Sequence, residues 1–101
     1  MNNFSFFTKV VGVTFNRSQK YIRNLSSGDI LKIEREPHNP YDSNAIAVKD
    51  IDGNMLGHLS RELAEKLAPR IDAGEKVYAI VGSVTGGGSN NYGLNIKIEI
   101  Y

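Results

Sequence analysis

Residues 35–48 read Arg35-Glu36-Pro37-His38-Asn39-Pro40-Tyr41-Asp42-Ser43-Asn44-Ala45-Ile46-Ala47-Val48. A loop crowded with prolines, asparagines, an acid and an aromatic runs without a break into an apolar strand. Ordering so polar a loop costs conformational entropy, and loops written this specifically tend to carry function. The same residues also make a turn in their own right. Pro40 presets the bend, and the Asn39 and Asp42 side chains are suited to bonding nearby backbone. Bracing and ligand binding are compatible, because a binding loop has to be rigid. Arg35 or Arg17 is expected to hold the loop by pairing with Asp42 or Glu36.

Upstream, Ile30-Leu31-Lys32-Ile33-Glu34-Arg35 reads as a strand, preceded by a turn at Ser26-Ser27-Gly28-Asp29. Downstream, residues 45–49 and 55–58 flank Asp50-Ile51-Asp52-Gly53-Asn54, a hairpin with an Asp-Gly turn. Residues 6–13 are apolar and β-branched, and residues 17–25 suit a short helix with Tyr21, Ile22 and Leu25 on one face. After the hairpin a longer helix is predicted, with Ser60 as N-cap and Glu62 in the first turn. Leu63, Ala64, Leu67, Ala68 and Ile71 mark its buried face; Pro69 is expected to bend or restart it, and Gly74 to end it.

Residues 76–84 form another strand, residues 86–91 a flexible glycine-rich loop, and the chain closes on a strictly alternating strand. There Leu94, Ile96, Ile98 and Ile100 share one face, with Asn95, Lys97, Glu99 and Tyr101 on the other. About six short strands, one main helix and a short second helix predict a mostly β fold, a small OB-like or SH3-like antiparallel β-barrel. Curling the sheet shut removes the exposed edges an open sheet would present.

The 101 residues suffice for one modest core, and residues 1–101 are read as a single domain. Cysteine is absent from the sequence, which excludes disulfides, thiolate zinc sites and thiol nucleophiles. No apolar run approaches the roughly 20 residues of a membrane span, and the first residues do not read as a signal peptide. A cytoplasmic protein without membrane contact is expected. A net charge of +1 limits nucleic-acid binding to local contacts with few phosphates.

Catalysis finds little support. His38 and His58 are the only histidines, and neither a nucleophile elbow nor a metalloprotease spacing accompanies them. His38, Asp42 and His58 are of metal-ligating type, yet they read better as surface and loop-bracing groups, so no metal or cofactor is expected. Residues 50–54 resemble the start of a calcium loop, but the glycine is misplaced and the closing Glu is missing. The 86–91 loop lacks the GK[ST] and following helix of a phosphate cradle. Aromatic placement is more telling. Phe15, Tyr41 and Tyr92 stand at loop–strand junctions, where a base can stack with about 1–3 kcal/mol each. Packing in the barrel mouth is the plain alternative, least so for Tyr41. The helix opening at Ser60, directly after His58, offers a phosphate-binding terminus.

Taken with Val10-Val11-Gly12-Val13, Gly28-Asp29-Ile30-Leu31, Gly57-His58-Leu59 and the 63–69 helix, the run Arg35-Glu36-Pro37, Asn39-Pro40-Tyr41-Asp42 and Asn44-Ala45-Ile46-Ala47-Val48 resembles the HIRAN domain family. That module stands at the N-terminus of certain DNA-remodelling and fork-repair helicases, and free-standing versions occur in bacteria. The resemblance covers most of the chain and implies a modified OB-like barrel with helical insertions. It further implies binding of single-stranded DNA at its free 3′ end. Tyr41 and Phe15 would stack on or wall the terminal bases, Asp42 would accept from the 3′-hydroxyl, and His58 would contact a phosphate or sugar. Tyr92 would stack on a neighbouring base, and Asn39 would shape the pocket through the backbone. One position departs from the pattern: Thr14 stands where the DNA-binding members carry an arginine that grips the DNA. Losing such a charge-assisted contact costs about 1.5–3 kcal/mol. Arg17, Lys20 and Arg61 are the cations able to compensate.

These readings converge on a non-catalytic nucleic-acid-binding module, recognising single-stranded DNA or free 3′ DNA ends in a DNA-repair setting. Thr14, Phe15, Asn39, Tyr41, Asp42, His58 and Tyr92 are its candidate contacts. The alternative is a protein-interaction adaptor that keeps the barrel but has lost DNA binding, and a helicase or nuclease is the expected kind of protein partner. A nucleotide-processing enzyme built on His38, His58 and Asp42 is disfavoured by the lack of a carboxylate cluster.

Overall fold

Alternation in the last strand decides where the core lies. In the computed structural model, which describes residues 4–15 and 17–101, Leu94, Ile96, Ile98 and Ile100 are all buried. The elements in chain order are β1 (Phe4–Lys9), α1 (Ser18–Ile22), β2 (Ile30–Arg35), β3 (Ile46–Lys49), β4 (Met55–His58), α2 (Arg61–Asp72), β5 (Val77–Gly87) and β6 (Asn90–Ile100). The six strands form one sheet in the order β1-β6-β5-β2-β3-β4, and every neighbouring pair is antiparallel.

The sheet curls into a half-barrel, and its two outer strands meet. Beyond the end of β1, Val11 forms a bridge with His58 of β4. Val11 N donates to His58 O at 2.8 Å, and His58 N donates to Val11 O at 2.9 Å. Gly57 makes that approach feasible, since a Cβ there would lie 2.4 Å from the Val11 carbonyl oxygen and 2.7 Å from Val10 Cγ1. The apolar stretch at 6–13 is thus a strand ending at Lys9 followed by this single stitch, not one continuous strand.

Into the concave side go Ile22 of α1, Ile46 and Val48 of β3, Leu56 of β4, and Ala64, Leu67 and Ala68 of α2. Helix α1 is further pinned by Ser18, a buried serine whose hydroxyl donates to the Met55 carbonyl at 2.9 Å. Ser60 caps α2 by accepting from Leu63 N at 3.3 Å, with Glu62 in the first turn.

Three sequence expectations are corrected here, the first in part. Of the bend or restart expected at Pro69, the restart does not occur, and α2 runs through it to Asp72. Pro69 lies in the last turn on the exposed side, where solvent can satisfy the carbonyl it leaves unbonded. The glycine-rich stretch at 86–91 is not a loop either. Strands β5 and β6 continue through it to a Gly87–Asn90 pair, leaving only Gly88 and Ser89 as the turn. Gly86, Gly87 and Gly88 take positive φ, and a Cβ on Gly86 would sit 2.1 Å from the Asn91 carbonyl oxygen. Glycine here permits a tightly coiled ladder. Lastly, Arg35 pairs with neither Asp42 nor Glu36. Its guanidinium is bidentate to Asp72 of α2, at 3.0 and 3.1 Å, and its third nitrogen donates to the Ala45 carbonyl.

Candidate nucleic-acid interface

The loop between β2 and β3 is built around one amide. Asn39 Oδ1 accepts from the backbone N–H groups of Tyr41 (2.8 Å) and Asp42 (3.1 Å), and its Nδ2 donates to Glu36 Oε1 at 3.2 Å. Asp42 continues the scaffold. Its Oδ1 accepts from Asn44 N at 2.9 Å, and its carbonyl accepts from Ala45 N at 3.0 Å. These short-range bonds are the Asx-type turns that asparagine and aspartate favour. Their result is to thrust Tyr41 outward, 89% exposed, while Oδ2 of the half-buried Asp42 has no protein partner among the described residues.

Across from this loop stands His58. Its Nε2 lies 2.6 Å from Glu36 Oε1, the same oxygen that Asn39 bonds. Partial burial works to raise the Glu36 pKa. The hydrogen bonds from His58 and Asn39, with the positive charge of His58 and Lys49, outweigh it and bring the pKa below its ordinary value. Glu36 therefore couples the loop to β4 as a carboxylate and orients the imidazole.

A surface cleft of about 360 Å³ opens between these parts. Buried Ala45 and Leu59 floor it, Val11 forms one wall, and Asn39, Tyr41, Asp42, His58 and Arg61 surround the mouth. Arg61 is the first residue of α2 and enters no ion pair among the described residues. The chemistry on offer is an aromatic face, a carboxylate acceptor, an imidazole and a cation beside a helix N-terminus. That set suits a planar base, a hydroxyl and a phosphate.

Of the seven sequence candidates, four line this cleft: Asn39, Tyr41, Asp42 and His58. Thr14 and Phe15 do not. They sit on the exposed turn that follows Val11, closed by Phe15 N donating to Gly12 O at 3.2 Å, with the Phe15 ring 67% exposed. Tyr92 lines a separate cleft of about 330 Å³ beside α1. Sequence reasoning did not single out Glu36 as the partner of His58, and it named Arg61 only as a substitute cation. The apolar lining of Val11, Ala45 and Leu59 was not read from the sequence as part of a site, and Val11 reaches it only through the stitch with His58.

A family model for the HIRAN domain matches residues 3–101. The chain belongs to the HIRAN domain family. Helicase-like transcription factor of mouse is 36% identical over 93 residues, which are 92% of this chain and 9% of that protein. This HIRAN chain thus spans less than a tenth of the length of the helicase-like transcription factors it matches. Among solved structures, the crystal structure of the HIRAN domain of human HLTF superposes with a TM-score of 0.73 at 30% identity, covering 95% of this chain and 74% of that one. The HLTF HIRAN domain solved by NMR in its DNA-bound conformation gives a TM-score of 0.70 at 29% identity, covering 95% of this chain and 73% of that one. A protein from Lactobacillus plantarum shares the fold, with a TM-score of 0.76 at 23% identity, covering 99% of this chain and 100% of that one. The mostly β, six-stranded architecture with two helices is the HIRAN architecture.

Proposed function

We propose that this HIRAN domain is a non-catalytic module that holds the free 3′ end of single-stranded DNA in the cleft between the 36–45 loop and β4. The observation that carries the reading is the convergence of Tyr41, Asp42, His58 and Arg61 on one cleft of about 360 Å³. A relative at 29% identity with the same fold has a DNA-bound conformation. In this reading the exposed Tyr41 ring stacks on the terminal base, and Asp42 Oδ2 accepts from the 3′-hydroxyl. Arg61, at the head of α2, meets the adjoining phosphate in place of the arginine that Thr14 replaces. With Nε2 facing Glu36, His58 presents Nδ1 to the sugar or phosphate. Asn39 shapes the pocket from within the loop, its Oδ1 holding the Tyr41 and Asp42 N–H groups and its Nδ2 holding the Glu36 carboxylate.

Asp42→Asn tests this cleanly, because the amide oxygen still accepts from Asn44 N and keeps the turn. Fluorescence anisotropy on a short single strand compares a 3′-hydroxyl end with a 3′-phosphate end. The wild type should prefer the hydroxyl, and Asp42→Asn should lose about 1.5–3 kcal/mol on the hydroxyl strand alone. Equal losses on both ends would remove Asp42 from this role. Binding of neither end by the wild type would shift the assignment to a protein-binding adaptor.

A further inference from the structure

The cleft that Tyr92 lines is cationic in a chain with almost no net charge. Its walls are Lys20 and Arg23 on one side, Asn90 and Asn91 with Gly88 of the β5–β6 turn on the other, and the half-buried Tyr92 between them. No carboxylate lines it. Lys20 and Arg23 stand three residues apart at α1 and its C-cap, a spacing that puts both on one face. Both are exposed, and neither enters an ion pair among the described residues. The Lys20 ammonium rests 5.1 Å from the Tyr21 ring centroid, which steadies its position without cancelling its charge. By contrast, Lys49, Arg35 and Arg70 are each paired with an acid. Two unneutralised cations, two side-chain amides and an aromatic in one groove is the composition of a surface that tracks a nucleic-acid backbone and stacks a base.

This groove is joined to the first cleft by covalent and hydrogen-bonded structure. Gln19 sets its position: Nε2 donates to Val13 O and to Tyr92 O, both at 2.9 Å, and Oε1 accepts from Tyr92 N at 2.7 Å. Val13 lies two residues from Val11, the wall of the first cleft and the partner of His58. The short turn at 11–15 therefore runs from a wall of the first cleft to the carbonyl of Val13, which Gln19 ties to Tyr92 of the second, and it carries the exposed Phe15 ring.

We propose that the groove of Lys20, Arg23, Asn90 and Asn91 is a second subsite that binds the phosphates of the strand on the 5′ side of the nucleotides held at the first cleft. The inference rests on the proposed DNA-end reading and extends it from an end pocket to a track. Anisotropy with 3′-hydroxyl single strands of about 3 to about 12 nucleotides reads it out, within the site sizes such folds use. Wild-type affinity should climb with length until the second groove is reached. The double variant Lys20→Gln/Arg23→Gln should bind the shortest strand as the wild type does, which also shows that it is folded. On the longest strand it should bind about tenfold more weakly. Its log–log salt slope there should be shallower by about 1.4, for two phosphates released. Asn91→Lys should have the opposite effect and tighten long strands only.

A wild type whose affinity ignores length overturns the second subsite and leaves the end pocket standing. So does a double variant that keeps the wild-type length dependence and slope, or one that weakens short and long strands alike. Absence of binding to any strand overturns the end pocket and the track together.

Discussion

Replacing Gly57 with alanine tests the seam that closes the sheet. Gly57 lies outside the positive-φ glycines, so alanine meets no backbone strain there. The cost is purely one of space. The new Cβ would sit 2.4 Å from the Val11 carbonyl oxygen and 2.7 Å from Val10 Cγ1, and the nearer obstacle is backbone that cannot swing aside. Relief requires the two edges to part, breaking both Val11–His58 hydrogen bonds. At about 0.5–1.5 kcal/mol net each, these amount to about 1–3 kcal/mol. Val10, 5% exposed, loses part of its burial as well, and a fully buried valine is worth about 1.5–3 kcal/mol. The expected destabilisation is about 2–4 kcal/mol, a large share of the 5–15 kcal/mol typical of such a domain. Urea unfolding measures it. Gly53→Ala is the control: it has open space around it but a φ of 88°, so it should show only the backbone penalty of about 1–2 kcal/mol and leave the cleft intact. A loss below about 0.5 kcal/mol for Gly57→Ala would refute the claim that glycine is required by the seam.

Two further outcomes follow from the cleft. Tyr41→Ala should leave stability within about 0.5 kcal/mol of wild type, as the ring is 89% exposed, yet weaken strand binding by about 1–3 kcal/mol; parallel urea and anisotropy measurements separate the two effects. The Glu36–His58 pair sets a pH dependence: because the folded state lowers the Glu36 pKa, its contribution is present above the ordinary value of 4.5 and is lost as pH falls through the folded value. The stability gap between wild type and Glu36→Gln should therefore shrink on acidification below about pH 4.5, and a gap independent of pH would show that the carboxylate charge plays no part.

What the sequence disclosed followed from local periodicity. The β6 alternation, the β3–β4 hairpin and the Ser60 cap depend on residues close in sequence, and β2 has the predicted bounds, Ile30–Arg35. Tyr41 and Asp42 stood out because proline and asparagine chemistry singled out their loop. The misread parts depend on distant partners. Arg35 reaches Asp72, 37 positions away, so its neighbours Glu36 and Asp42 were poor guides. The glycines at 86–88 have the composition of a loop, and only their opposite strand turns them into a coiled ladder. The split between two clefts was invisible for the same reason, because Gln19 joins α1 to Tyr92 across 73 positions.

The seam also has a mechanical meaning. His58 offers its ring to the cleft and its peptide group to the clasp with Val11, while Val11 is at once the other half of the clasp and a wall of the cleft. A ligand that needs both Val11 and His58 in place binds the clasped form alone, and by linkage it holds the clasp shut. Hydrogen exchange at the Val11 and His58 amides, the two donors of that clasp, should therefore slow when such a ligand is bound.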